Sequence, residues 1–404
     1  MSRAAKKFPQ LADPQLCSGC SACVCACRSG ALRMVVDSEG FERPVFDASA
    51  CVACGRCTRA CPILHRLPRA EVRESWAVQA AAEKVRLASS SGGVFPLLAK
   101  EVLSRQGVVF GAAWDDDCRS VCHRAVDRED ELHLLVGSKY LQSHIGLAYV
   151  DCAEYLRSGR QVLFSGTPCQ IAGLRSFLAV DSVATSNLVC VQVVCHGVPS
   201  PALWRAHLGE QEKVLGHSIR QVSFRDKTNG WRHYRVAYGE ESSAFYGDDW
   251  FFNAFLSELC SRPSCFQCSA RGFYSGTDLT IGDFWGIDNV QPGYWDDTGL
   301  SLVLVHSQTG GNLWNTVKSQ CKLRSCTYNQ ALQGNLSLEQ NPRPHSRRNR
   351  FIHSVLVDGM VFSVGVARAL KPTTMQCVNK TICGFLQTIR RVIGGFCRQV
   401  IRLT

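Results

Sequence analysis

Two closely spaced runs of cysteines near the N-terminus constrain the fold of this chain more than any other feature. Each run has the spacing C-x2-C-x2-C-x3-C. The runs consist of Cys17, Cys20, Cys23 and Cys27, followed by Cys51, Cys54, Cys57 and Cys61. Three closely spaced thiolates can wrap three irons of one cube, and the fourth then points toward a second cube. The spacing therefore predicts two 4Fe–4S clusters, with Cys61 completing the first cluster and Cys27 completing the second.

The first run departs from the usual pattern at two positions. Pro62 follows the last cysteine of the second run, as in bacterial two-cluster ferredoxins, but Arg28 stands at the matching place in the first run. Cys25 is an additional thiol that could replace a neighbouring ligand. Zinc is the alternative occupant, because C-x2-C pairs also bind zinc, but zinc does not need the third and fourth cysteines at this repeat. We therefore predict a ferredoxin-type 2×4Fe–4S domain over residues 1–68.

The cysteine content limits the compartment in which the chain can work. The sequence contains 23 cysteines among 404 residues, which in a small secreted protein would indicate disulfides. Residues 1–15 lack the apolar segment of a signal peptide, and no stretch of about 18 consecutive apolar residues occurs. We therefore expect a cytoplasmic protein whose thiolates bind metal.

The remainder of the chain has the pattern of a larger domain followed by a tail. Apolar runs predict strands at residues 107–114, 161–165, 188–194 and 300–305, and helical patterns lie at 93–105, 145–157 and 169–178. Residues 219–246 are rich in β-formers and turns. The predicted fold class is α+β or mixed α/β. The predicted domains are the ferredoxin-like module, a mixed-sheet domain over 72–345 that divides near residue 160, and a basic helical tail over 346–404.

Most of the positive charge belongs to the tail. The net charge is +11, and residues 341–404 hold eleven arginines and lysines but a single aspartate. From Ile382 to Val400 the apolar residues recur every three or four positions, which predicts an amphipathic helix. This helix either packs on its own domain or contacts a membrane surface or an anionic partner.

Four cysteines of the larger domain occupy positions suited to a further cluster. Cys169 follows one predicted strand and opens a helix, Cys195 follows the next strand, and Cys265 and Cys268 form a C-x2-C pair. Together they could hold a third 4Fe–4S cluster, although scattered cysteines are often small buried apolar residues. Neither G-x-G-x-x-G nor a Walker A motif occurs in the chain, so the usual dinucleotide site has no support.

Six motifs of the larger domain resemble those of one known family. They are SSSGG at 89–93, GSKYLQS at 137–143, SGTPCQ at 165–170, CHGVPSP at 195–201, FRDKTNGW at 224–231 and IGDFWG at 281–286. The chain is similar over residues 12–300 to the coenzyme F420 hydrogenase/dehydrogenase beta-subunit family, in the form with a fused N-terminal ferredoxin domain. The resemblance implies FAD and a 4Fe–4S cluster on Cys169, Cys195, Cys265 and Cys268. The family also includes reductases of chlorophyll-type pigments, so the fold does not fix the substrate.

The same resemblance suggests where FAD binds. Ser91, Gly92 and Gly93 form a small loop before a helix, which suits a phosphate or a flavin edge, or is a plain helix cap. Lys139 is expected to pair with the pyrophosphate unless it is a solvated surface lysine. Further candidate ligands are Gln142 and Ser143, for the ring or ribityl chain, and Asp226, Lys227 and Asn229, which otherwise form a hairpin turn without a ligand.

These features predict an oxidoreductase that passes electrons between a hydride carrier at FAD and a one-electron partner through 4Fe–4S clusters. The carrier is coenzyme F420 or a similar molecule, and flavin is needed because it handles both hydride and single electrons. Hydride transfer needs no acid or base, so no catalytic side chain is predicted. The alternatives are an adaptor without its own substrate, a ferredoxin-dependent reductase of an organic substrate, and a zinc-stapled module whose tail contacts nucleic acid or lipid. For the main hypothesis we expect a redox protein or a small hydride carrier as partner, and no nucleic acid.

Overall fold

The computed structural model describes residues 9–240, 242–290, 292–293 and 296–371. The strands in these ranges are β1 (Leu32–Val36), β2 (Glu42–Phe46), β3 (Glu74–Ala80), β4 (Val108–Trp114), β5 (Val121–Val126), β6 (Val162–Gly166), β7 (Leu188–Val193), β8 (Val222–Asp226), β9 (Arg235–Tyr238), β10 (Ser242–Phe245), β11 (Leu279–Asp283), β12 (Ser301–Val305) and β13 (Cys321–Ser325). The helices are α1 (Ala22–Cys25), α2 (Arg56–Arg59), α3 (Glu83–Leu87), α4 (Val94–Ser104), α5 (Ala148–Arg157), α6 (Pro168–Val180), α7 (Pro201–Leu215), α8 (Trp250–Leu256), α9 (Gln308–Val317), α10 (Tyr328–Gln333), α11 (Arg348–Leu356) and α12 (Phe362–Leu370).

The N-terminal module is a small repeat built around its cysteines. Strands β1 and β2 pair antiparallel, with Leu32 opposite Phe46. The short helices α1 and α2 occupy equivalent places in the two cysteine runs. Each begins after a residue with left-handed backbone, Ser21 at φ 64° and Gly55 at φ 70°. This conformation turns the chain sharply between consecutive cysteines, so that neighbouring thiols point to the same side.

An eight-stranded mixed sheet forms the centre of the larger domain. Its strand order is β13-β3-β12-β11-β7-β6-β4-β5. The four strands β11, β7, β6 and β4 are parallel to one another. On one side β5 pairs antiparallel with β4, and on the other side β12, β3 and β13 continue the sheet in antiparallel pairs. Apolar side chains cover both faces, as expected for strands enclosed between helices. Helices α4 and α9 pack with one buried cluster and α5 and α6 with another.

A third buried cluster supports a separate three-stranded sheet. Strands β8, β9 and β10 are antiparallel, and α7 and α8 pack beside them around Trp204 and Phe251. Helices α11 and α12 join the same cluster through Phe351 and Phe362. The first part of the predicted tail is therefore packed on the body, and the predicted amphipathic helix from Ile382 to Val400 lies outside the described residues.

The predicted mixed α/β fold with an N-terminal cysteine module is confirmed. The four predicted strands correspond to β4, β6, β7 and β12, and the three predicted helices correspond to α4, α5 and α6. The β-rich segment contains β8, β9 and β10. In the part of the chain that the structure describes, no helix is both long and apolar enough to cross a membrane.

Candidate redox site

The first predicted ligand set surrounds one cavity in the N-terminal module. Cys17, Cys20, Cys23 and Cys61 all line it. Burial is the largest influence on the thiol of Cys23 and raises its pKa, and the charges of Cys20, Cys17 and Cys61 act in the same direction. Four buried thiols that destabilise one another's ionised forms would ionise together only around a positive centre, and the irons of a 4Fe–4S cluster would supply it.

The second ligand set lies beside the first. Burial raises the pKa of Cys57, and the charges of Cys27 and Cys54 raise it further, so these thiols are neighbours. Cys54 is exposed, whereas Cys51 and Cys57 are buried. The charge of Cys57 also reaches Cys23 of the first set. Cys25 faces elsewhere, because its thiol donates to the carbonyl oxygen of Gly146 at 3.6 Å.

The body cysteines converge on a second cavity, which we call the body cavity. Cys169, Cys195, Cys265 and Cys268 line it together. Cys169 lies in the first turn of α6, directly after β6, and Cys195 comes two residues after β7. These strands are parallel neighbours, so their carboxyl ends meet at one edge of the sheet. The short 3-10 helix Pro263–Gln267 carries Cys265 to the same edge.

The chemistry of the body cavity fits a 4Fe–4S cluster. Burial raises the pKa of Cys265 to about 12, and the charges of Cys195 and Cys268 add to this effect. Thr167 places its hydroxyl oxygen 3.2 Å from the sulfur of Cys169, where it can donate to a thiolate. Across the described ranges, no group of three or more His, Cys, Asp or Glu side chains is arranged to hold a single metal ion. A cube of iron and sulfide is wider than one ion and keeps its thiolates further apart.

Helix α6 brings the two cysteine cavities together. A Cβ added to Gly173, four residues after Cys169, would lie 3.1 Å from the sulfur of Cys20. The charge of Cys169 contributes to the raised pKa of Cys20, although burial is the main cause. Ser18 and Ile63 line both cavities. The first ligand set of the N-terminal module is therefore adjacent to that of the body.

A large cleft opens on the other side of the body cavity. It holds about 1420 Å³ of space, part of it open to solvent, and Cys195 lines both the cleft and the body cavity. We call this space the central cleft. It lies at the carboxyl ends of β6 and β7, where parallel sheets commonly bind ligands.

The loop before α4 forms one wall of the central cleft. Ser91, Gly93 and the first residues of α4 line the cleft, and Gly93 has φ 88°. No side chain caps this end of α4 in the described chain, so the N–H groups of Val94 and Phe95 are available to an anion, whereas Pro96 has no N–H group. Gly92 has a different role. Its N–H donates to the hydroxyl of Ser301 at 2.9 Å, and a Cβ there would lie 2.3 Å from the carbonyl oxygen of Val78.

Lys139 and Ser143 line the opposite wall. The Lys139 ammonium donates to the carbonyl oxygens of Leu134 and Val136 at 3.0 and 2.9 Å. Burial lowers the pKa of Lys139 to about 7. Within the described residues Lys139 has no carboxylate partner, which leaves its charge available to an anionic ligand.

His123 holds Ser143 in place. Its Nε2 lies 2.8 Å from the carbonyl oxygen of Ser165, so Nε2 carries the proton and Nδ1 accepts from the hydroxyl of Ser143 at 2.7 Å. Burial lowers the pKa of His123 to about 4, which keeps the ring neutral. The amide of Gln170 also donates to Ser143 Oγ at 2.9 Å.

Five of the predicted flavin ligands do not line the central cleft: Gly92, Gln142, Asp226, Lys227 and Asn229. Gln142 donates to the carbonyl oxygen of Ser18 at 2.7 Å and so connects the body to the N-terminal module. The Asp226 carboxylate accepts from Thr228 within its own turn, and Asn229 is exposed.

Lys227 contacts the loop that forms a wall of the central cleft and does not line the cleft itself. Its ammonium donates to the carbonyl oxygens of Arg86, Ser91 and Thr298 at 2.7 to 2.8 Å, and it thereby fixes the loop before α4. Burial lowers the pKa of Lys227 to about 7, and the charge of Arg225 contributes.

Sequence reasoning missed several residues that shape the cleft. Gln170 and His196 line it and lie inside the motifs at 165–170 and 195–201, so the motifs contained the signal. His123 had no signal, because a single histidine within a strand gives no indication of its neighbours. Asp283 also lines the cleft, where it accepts from the indole N–H of Trp231 at 2.9 Å and from Arg225 at 2.5 Å.

These features define the class of protein as an iron–sulfur oxidoreductase component. A 4Fe–4S dicluster domain matches residues 16–63, and a family described as the C terminus of the beta subunit of coenzyme F420 hydrogenase/dehydrogenase matches residues 159–330. Residues 16–63 thus resemble a dicluster domain, and residues 159–330 resemble the C-terminal part of an F420 hydrogenase/dehydrogenase beta subunit. The resemblance predicted from the sequence is confirmed over these ranges.

Comparison with solved structures and curated proteins adds two findings. A chain of the F420-reducing [NiFe] hydrogenase complex from Methanosarcina barkeri is 14% identical to this protein, with a TM-score of 0.47. The match covers 72% of this chain and 90% of that chain. No curated protein matches this sequence.

Proposed function

We propose that this chain is a flavin- and iron–sulfur-dependent oxidoreductase. It passes electrons between a hydride carrier at FAD in the central cleft and a one-electron partner, through the body cluster and the two clusters of the dicluster domain. One observation carries the proposal. Cys195 lines both the central cleft and the body cavity, and Ser18 and Ile63 line both the body cavity and the first cysteine cavity.

FAD supplies the step between hydride and single electrons, since flavin exchanges both and iron–sulfur clusters carry one electron at a time. The residues present fit such a ligand. The first turn of α4 offers free N–H groups, Lys139 offers a cation for the pyrophosphate, and the lining of the cleft brings the ligand next to Cys195. Ser91 and Ser143 line the same space, but their hydroxyls already donate to Leu300 and His123.

The outer end of the path is the second ligand set. Cys54 is exposed at the surface, and the nearby side chain of Val52 is 64% exposed. A one-electron partner can approach this side of the dicluster domain without reaching the central cleft. The hydride carrier and the redox partner therefore meet the protein at separate places.

Metal and flavin analysis tests the proposal. Protein purified without oxygen is expected to contain about twelve irons and one FAD per chain. Cys265→Ala should remove about four irons, since it removes a ligand of the body cluster. Cys260→Ala is the matched control, because Cys260 is fully buried nearby and does not line the cavity, so iron should remain at the wild-type level. Stoichiometric zinc without a flavin absorption band, or unchanged iron in Cys265→Ala, would contradict the assignment.

A turnover assay separates the proposed enzyme from an adaptor without its own substrate. Reduced F420, NADPH and NADH are each supplied with an artificial one-electron acceptor, and reduced ferredoxin is supplied in the reverse direction. Flavin bleaching with at least one hydride donor supports the enzyme. Full cluster content without bound FAD, and without reaction with any hydride donor, supports the adaptor. Full cluster and FAD content without such a reaction supports the reductase of an organic substrate.

A further inference from the structure

Arg262 is a buried cation between the dicluster domain and the body. The residue is 1% exposed. Its Nε donates to the carbonyl oxygen of Cys17 at 3.0 Å, and Nη2 donates to that of Glu42 at 2.7 Å, both in the dicluster domain. Nη1 donates to Oε1 of Gln142 in the body at 2.9 Å. The guanidinium is therefore fixed in position by both parts of the protein.

The first cysteine run is shaped around this guanidinium. A Cβ added to Gly19 would lie 2.7 Å from Nη1 and 2.8 Å from Nη2 of Arg262, and Gly19 has φ +66°. Any other residue at position 19 would displace the charge or strain the backbone. The Arg262 side chain also lines the body cavity, so it lies beside both ligand sets.

The charge of Arg262 is not neutralised by a carboxylate within the described part of the chain. Its hydrogen bonds go to two carbonyl oxygens and one amide oxygen. The carboxylate of Glu42 turns away and lies 2.9 Å from His144 Nδ1. Other buried arginines differ in this respect, since Arg225 pairs with Asp283 and Arg348 pairs with Glu39.

Arg271 provides a comparison on the same cavity. It lines the body cavity and donates to the carbonyl oxygens of Cys195 and Ser337. Like Arg262, it has no carboxylate partner among the described residues. Arg271 contacts the body, whereas Arg262 contacts the body and the first cysteine run.

We propose that Arg262 raises the reduction potentials of the first cluster and the body cluster together and so leaves the difference between the two potentials almost unchanged. Reduction of a 4Fe–4S cluster adds one negative charge, and a fixed buried cation stabilises the reduced form because the local dielectric constant is low. One guanidinium between two clusters acts on both, so their potentials rise in parallel. This inference rests on the proposed three-cluster function.

The test is a potentiometric titration of the intact, cluster-loaded chain followed by electron paramagnetic resonance. Arg262→Met and Arg262→Gln should each lower the midpoint potentials of two clusters. At a fixed potential we expect at least a tenfold change in the ratio of oxidised to reduced cluster, which corresponds to 59 mV for one electron. Arg262→Lys keeps a point charge and should shift both potentials less. Arg271→Met should lower the potential of one cluster only.

The double variant Glu39→Gln/Arg348→Gln is the matched control. It removes a buried arginine contact between the same two parts of the protein without changing the net charge, so all potentials should stay at the wild-type values. The inference is overturned if the Arg262 variants retain three clusters and shift one potential or none. A wild-type chain without the body cluster would instead refute the proposed function, so the two failures are distinguishable by iron content.

Discussion

Lys139 lines the central cleft, and its ammonium group has no carboxylate partner among the described residues. Its pKa of about 7 means that it changes charge near physiological pH. An anionic pyrophosphate favours the protonated form. FAD affinity should therefore be highest below pH 7 and should fall as the pH rises above 7, by up to about tenfold per pH unit.

Fluorescence titration of FAD into flavin-depleted protein between pH 6 and 8.5 measures this dependence. Lys139→Gln should bind FAD more weakly at pH 6 and should lose most of the pH dependence. Lys100→Gln is the control, because Lys100 lies at the surface and pairs with Glu129. A wild-type pH profile in Lys139→Gln would rule out the role proposed for Lys139.

The residues of the cleft also show what a sequence can predict at this scale. Four residues of the sequence motifs line the cleft: Ser91, Gly93, Lys139 and Ser143. Lys227 also belongs to one of the motifs, but the sequence could not show that its ammonium donates to three carbonyl oxygens behind the loop. The direction of a side chain from a turn depends on distant strands. Arg262 lies three residues before Cys265 in the sequence, but its burial between the two domains can be seen only in the folded structure.

Helix α6 is the element that brings the two inner ligand sets together. Cys169 lies in its first turn, and Gly173 lies one turn later against Cys20. The capping box formed by Thr167 and Gln170 fixes where the helix begins, and this fixes the position of both contacts. The sequence predicted this helix and its cysteine. The contact with Cys20 could not be predicted, because glycine within a helix usually indicates only lower helix stability.

Gly173→Val should therefore impair electron transfer between the body cluster and the first cluster. A Cβ at this position would lie 2.9 Å from the hydroxyl of Tyr149 and 3.0 Å from Cβ of Cys20, so the first cysteine run must move outward. We expect at least a tenfold slower reduction of the dicluster domain after mixing with a hydride donor, measured by freeze-quench electron paramagnetic resonance, with flavin reduction unchanged.

Gly209→Val in α7 is the matched control, because a Cβ at Gly209 meets nothing within 4 Å. It should leave the transfer rate at the wild-type value. Equal rates in wild type and Gly173→Val, with full iron content in both, would show that the close approach of Cys20 to α6 is not part of the path.

At the scale of the whole molecule, the dicluster domain is held against the body by charged and polar contacts at several points. Arg348 pairs with Glu39 at the turn between β1 and β2, and Gln142 binds the backbone at Ser18. Arg28 and Arg56 of the dicluster domain both bind the carboxylate of Asp181 at the end of α6. Arg28 was a departure from the ferredoxin pattern in the sequence. The structure gives a reason for it, since a proline there could not reach Asp181.

Loss of the Asp181 charge should loosen this docking. Burial acts to raise the pKa of Asp181, but hydrogen bonds from Arg28, Arg157 and Arg56 outweigh it and hold the pKa below its usual value. The carboxylate therefore stabilises docking above its ordinary pKa, and this contribution is lost as the pH falls through the lowered value. Asp181→Asn should weaken the contact at neutral pH by about 1–2 kcal/mol, since one of its arginines is largely exposed.

Limited proteolysis of the connecting residues 64–73 measures the docking directly. If cleavage requires the dicluster domain to separate from the body, a loss of about 1–2 kcal/mol should speed cleavage roughly five- to thirtyfold in Asp181→Asn. Acidification should speed cleavage of the wild type more than that of the variant, because the variant has no charge to lose. Asp130→Asn removes a carboxylate that pairs with Arg128 at the surface, and it should cleave at the wild-type rate. Equal cleavage in Asp181→Asn and Asp130→Asn would mean that the remaining contacts at Glu39 and Ser18 hold the domains together without the Asp181 cluster.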